Sequence, residues 1–110
     1  MASGTLKVDH WKVLTNAQEV TTSGLVVSLA NVLWKELLVI TDASSNSVSL
    51  EVCIPKRHYG RSRSYRSGYY ISSTNSAVLI VNSNATNDNI TILLNVYGEN
   101  AQGYASVYYK

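Results

Sequence analysis

The chain has 110 residues with a formal net charge of +2, one cysteine, one proline and no phenylalanine. That length accommodates one hydrophobic core, so residues 1–110 are read as a single domain. Charged residues make up 15% and apolar residues 45%, while Ser, Thr and Asn together number 33, so the polarity is carried by hydroxyls and amides. This excludes a disordered tail, a coiled coil and a charged helical bundle.

In chain order, period-two patterning predicts strands over His10 to Leu14, Leu25 to Leu29, Leu37 to Thr41 and Ser47 to Ile54. It predicts further strands over Tyr69 to Ser73, Ala77 to Val81, Ile90 to Tyr97 and Tyr104 to Tyr109. In the fourth, Val48, Leu50, Val52 and Ile54 alternate with Ser47, Ser49, Glu51 and Cys53, the pattern of a strand with one face on a core. Gly24 to Leu38 carries leucines at helical spacing, but Val26, Val27 and Asn31 favour strand, turn and a second strand starting near Trp34. Ser44 to Ser47 is expected to form a hairpin turn and Asn82 to Asn89 a longer loop. The count is about eight short strands, which predicts an all-β antiparallel β-sandwich or jelly roll.

The single Cys53 excludes an internal disulfide and is expected to be a packed thiol. Trp11 and Trp34 are expected to anchor the core or a subunit interface. One ring of each pair, Tyr69 with Tyr70 and Tyr108 with Tyr109, is expected to be exposed or in an interface. No apolar run reaches membrane-spanning length and the first residues lack a signal-peptide core, so neither membrane insertion nor Sec export is expected.

Charge is concentrated. Between Lys56 and Arg66 lie five basic residues and no acid, against four basic and seven acidic residues elsewhere, so the segment is +5 and the remainder −3. Arg57, Arg61, Arg63 and Arg66 supply guanidinium forks, and Tyr59 and Tyr65 supply aromatic faces, together a candidate binding set for an anionic polymer. Nucleic acid is disfavoured, because a chain pI near 8.7 with an acidic remainder falls short of a dedicated nucleic-acid binder. The bland alternative is a solvated loop, and a third reading pairs these arginines with acids of a neighbouring subunit.

No metal-ligand spacing, nucleophile elbow or phosphate loop is present, and the seven carboxylates are scattered. The expectation is a protein that is not an enzyme, with no cofactor and no metal. Asn84-Ala85-Thr86 and Asn89-Ile90-Thr91 match the N-glycosylation acceptor, a weak signal in so Asn-rich a chain.

Four pieces in order, Trp34-Lys35-Glu36-Leu37-Leu38-Val39-Ile40, Ile54-Pro55-Lys56, Gly68-Tyr69-Tyr70 and Val107-Tyr108-Tyr109-Lys110, resemble the C-terminal tip domains of bacteriophage and prophage tail-fibre-like structural proteins. The resemblance implies a β-sandwich or jelly roll held as a homotrimer at a fibre end, located in the virion and acting at the host surface. It implies a non-catalytic receptor-binding tip for a bacterial surface polysaccharide or teichoic acid. It brings no ligand residues with it, since the loop after Ile54-Pro55-Lys56 varies among such proteins. A structural module that trimerises or decorates a fibre or capsid is the alternative, and a nucleic-acid-binding β-domain a further one.

Overall fold

Alternation of β-branched and polar residues produces two antiparallel sheets in the computed structural model, which describes residues 10–43, 49–86 and 88–110. The described strands are β1 (Lys12–Val20), β2 (Leu25–Ser28), β3 (Glu36–Ala43), β4 (Ser49–Pro55) and β5 (Ser64–Ser72). They continue with β6 (Asn75–Ser83), β7 (Asn89–Val96), β8 (Glu99–Ala101) and β9 (Gly103–Tyr109). The first sheet runs β1-β9-β3-β4 and the second β2-β7-β6-β5, with β8 added to β7. The chain is an all-β sandwich of two packed antiparallel sheets.

Register follows the apolar pattern. Leu37 lies opposite Ile54 and Val39 opposite both Val52 and Val107 in the first sheet, while Leu79 faces Leu94 and Val81 faces Ile92 in the second. These side chains, with Val20, Leu25, Val27 and Ile90, form one buried cluster between the sheets. Truncating any of the fully buried ones to alanine costs on the order of 2 to 5 kcal/mol. The β7–β8 turn places Tyr97 at φ +56° and Gly98 at φ +80°, the pair of positive φ angles that a type I′ hairpin requires.

Several expectations are corrected. Nine strands are described, the extra one being the three-residue β8, too short to show a period. Strand β1 runs on to Val20, well past Leu14, through irregular pairing near Thr15. Gly24 to Leu38 forms the expected strand, turn and strand, with the second strand starting at Glu36 and not near Trp34. Cys53 is exposed, because its own alternation with Val52 and Ile54 turns it to the outer face. Tyr69 and Tyr70 are both exposed, since β5 is an edge strand. There Gly68, at φ +129°, approaches β6 so closely that a Cβ would meet the Ala77 carbonyl at 2.0 Å. Strand β6 carries Asn82 and Ser83, and β7 begins at Asn89, so the expected Asn-rich loop is shorter than Asn82 to Asn89. The expected turn at Ser44 to Ser47 and the first residues lie outside the described residues. Among the described residues no helix is long and apolar enough to cross a membrane.

Candidate functional site

Antiparallel alternation brings the described residues of three connections to one end of the sandwich: 29–35 between β2 and β3, 56–63 between β4 and β5, and 84–86 with Asp88 between β6 and β7. The middle one carries most of the basic segment. Pro55, at φ −67°, leads into a 3-10 turn, Lys56–His58, closed by the Tyr59 N–H donating to the Lys56 carbonyl at 3.1 Å. The Lys56 N–H donates to the carbonyl of Lys35 at 2.8 Å, stitching this loop to the start of β3.

Aromatic rings set the loop's height above the core. Trp34 is buried, and Tyr59 meets it edge-on with ring centroids 5.2 Å apart. Tyr65 stacks parallel to Tyr59 at 6.1 Å, and the Lys56 ammonium sits 4.3 Å from the centre of the Trp34 ring. The Tyr65 hydroxyl accepts from the Gly60 N–H at 2.7 Å and donates to the His58 carbonyl at 2.9 Å. Ser83, buried at the end of β6, accepts from the Arg63 N–H at 2.9 Å and donates to the Gly60 carbonyl. Its own N–H donates to the Arg63 carbonyl at 2.9 Å. A loop rich in charge is therefore held by polar ties to neighbouring strands, with Ser62 accepting a positive φ of 56° within it.

Beside this loop lies a groove of about 400 Å³. Leu29, Val32, Leu33 and Trp34 supply its apolar side, and Leu33 is 94% exposed at the lip. Lys56, Tyr59, Arg61 and Asp88 supply its polar side. Arg61 Nη1 donates to the Ala85 carbonyl at 3.3 Å, and the Leu29 N–H donates to the Asp88 carbonyl at 2.6 Å, so all three connections are fastened to one another. Burial pushes the Tyr59 hydroxyl above its ordinary pKa, with Tyr65 and Asp88 adding to the shift and Arg61 opposing it. The hydroxyl therefore stays protonated at neutral pH and feels both charges of the groove.

The six expected ligand residues separate. Tyr59 and Arg61 line the groove. Tyr65 stands behind Tyr59 and holds the loop, and the Arg63 side chain lies against Gly60, where an added Cβ would be 2.7 Å from Arg63 Nε. Arg57 falls on the far side of Lys56, in a second depression of about 680 Å³ with Lys35, Glu36, Pro55 and Lys110. Arg66 belongs to strand β5, beside Gly68, Tyr69, Tyr70 and Val78 in a third depression.

Asp88, Leu33 and the groove-side placement of Trp34 were not among the expected ligand residues. Asp88 is one of seven scattered acids, and it comes near the basic loop because β5, β6 and β7 pair side by side, which sets the loop ahead of β5 beside the residues ahead of β7. Among the described residues no three His, Cys, Asp or Glu side chains come together as a metal site. The chain matches no protein-family model, no curated protein and no solved structure.

Proposed function

We propose that this sandwich is a non-catalytic receptor-binding module, of the kind that tips bacteriophage tail fibres, and that it grips a bacterial surface polymer, polysaccharide or teichoic acid, through the groove. The observation that carries the reading is the convergence of Arg61, Asp88 and the protonated Tyr59 hydroxyl beside the exposed apolar lip of Leu33. Sugar hydroxyls take a paired donor and acceptor, here guanidinium and carboxylate, while the C–H faces of a pyranose pack on apolar side chains. Among the described residues lining the groove Asp88 is the one carboxylate, so the acid and base pair that glycoside hydrolysis uses is not assembled there. Binding without chemistry fits that lining.

A homotrimer is part of the proposal. On the outer face of the first sheet Val13, Tyr108, Leu38 and Cys53 stand in one cross-strand row; Leu38 is already buried within the chain, and Val13, 58% exposed, and Tyr108 are the apolar members left for a neighbour. Tyr109 points the other way and packs against the core, so Tyr108 is the ring for a subunit contact. Three modest sites on one fibre gain from effective concentration. Light scattering is expected to give a trimer, and a monomer at tens of micromolar, the order at which weak association still registers, overturns that assembly. The same row favours the second reading, a structural module that trimerises or decorates a fibre, which predicts a trimer with no affinity for cell walls.

The deciding experiment measures binding to purified Gram-positive wall polymer by wild type, Arg61→Ala and Asp88→Ala. Loss of about tenfold or more in either variant, roughly one charged hydrogen bond, supports the groove. Wild-type affinity in both variants overturns it.

A further inference from the structure

We infer that the groove is one of two adjoining subsites, and that the polymer it holds carries a phosphate next to the sugar seated there; the inference rests on the glycan-binding reading of the groove. Lys56 lines both the groove and the second depression, with its ammonium held over the ring of Trp34 on the groove side. The second depression gathers four cations from three separate parts of the chain: Lys35 ahead of β3, Lys56 and Arg57 in the 3-10 turn, and Lys110 after β9. Its one acidic side chain, Glu36, is already engaged by Lys110 at 3.4 Å. That leaves Lys35, Lys56 and Arg57 in uncompensated positive potential.

Two lysines and an arginine without a paired acid suit a phosphate, whose oxygens accept several charge-assisted hydrogen bonds, and a guanidinium fork pairs with phosphate oxygens bidentately. Arg57 Nε donates to His58 Nε2 at 3.3 Å, which orients the plane of the fork. Pro55 adds an apolar patch for the carbon chain of a polyol or sugar. A single-stranded nucleic acid also carries phosphates, but it needs open aromatic faces for its bases. Those faces are used here: Trp34 is buried with Lys56 over its ring, and Tyr59 and Tyr65 stack on each other. The geometry therefore favours a phosphate-bearing glycan.

The test is calorimetry with two monovalent probes, an N-acetylhexosaminyl-polyol phosphate and the same molecule after phosphatase treatment. The phosphorylated probe is expected to bind about tenfold more tightly at low salt, and added salt is expected to shrink that ratio. The Lys35→Ala/Arg57→Ala double variant is expected to abolish the ratio, whereas Arg61→Ala weakens both probes. Equal binding of the two probes by wild type, or a ratio unchanged in the double variant, overturns the phosphate subsite and leaves the groove reading standing. Failure of both probes to bind the wild-type protein overturns both readings. Oligothymidylate binding tighter than the phosphorylated probe assigns the surface to nucleic acid and also overturns the inference.

Discussion

The two ends of the sandwich are built on different principles. At the groove end the basic loop is fixed by side chains from the strands and connection around it: Ser83 holds Gly60 and Arg63 from 20 or more residues away, Tyr65 holds Gly60 and His58, and Arg61 reaches Ala85. At the opposite end the described turns are short and carry fewer such ties, namely the Ser72 to Thr74 hydroxyl contact, the Tyr97 N–H donating to the Ser76 carbonyl and the Asn100 amide donating to the Thr22 carbonyl. That end leaves Tyr70, Ile71 and Tyr97 exposed. The contrast teaches that a loop's conformation can depend on the whole fold or on its own few residues. A recognition surface gains from the first, because ordering is completed before a ligand arrives.

Paired substitutions at the two ends test this. The largest difference is expected between Tyr59→Ala and Tyr97→Ala. The first removes a ring packed between Trp34 and Tyr65 and is expected to cost roughly 2 to 3 kcal/mol in urea unfolding. The second removes a half-exposed ring and is expected to cost about 0.5 kcal/mol or less. Equal losses would erase the distinction between the ends.

Next comes Ser83→Ala against Ser72→Ala. Removing the buried Ser83 hydroxyl strands the Arg63 N–H and the Gly60 carbonyl, at about 1 to 3 kcal/mol. Removing the exposed Ser72 hydroxyl is expected to change stability by less than about 0.5 kcal/mol. Smaller still is the separation of two arginines in wall-polymer binding. Arg61→Ala is expected to lower affinity about tenfold, near 1.4 kcal/mol, while Arg66→Ala on strand β5 stays within about twofold.

The smallest effect is in alkaline pH. Because burial raises the Tyr59 pKa above its unfolded value, the associated stability is fully present below pH 10.0 and is lost as pH climbs toward the folded value. Tyr59→Phe is expected to flatten that part of a urea midpoint series recorded above pH 10.0. An unchanged slope would show that the hydroxyl is solvated alike in both states.

Much of the fold was legible because a half-buried strand declares itself every second residue. Leu50, Val52 and Ile54 marked β4 plainly, and the same alternation placed Cys53 outward, which a rule about cysteine burial overrode wrongly. Strand β8 has too few residues for any period, and Gly68 conceals a close approach visible only when β6 lies beside it. The basic segment was legible as a concentration of charge and not as a site. Its residues divide among a 3-10 turn, a loop and a strand, which point Arg57, Arg61 and Arg66 to three different places. Ser83 was one hydroxyl in a chain full of them, and Asp88 one scattered acid, so their roles come only from pairing across the sheets.

The pairing of Lys12 with Tyr109 has a practical consequence for handling the protein. It puts the start of β1 and the close of β9 at the groove end, where Lys110 reaches over Trp11 and its backbone pairs with Glu36. A sensor chip, bead or affinity tag joined just after β9 would press the groove against its own support and hide the surface being assayed. A maleimide handle at the opposite end, through Ser73→Cys in a Cys53→Ser background, presents the groove to the solution instead.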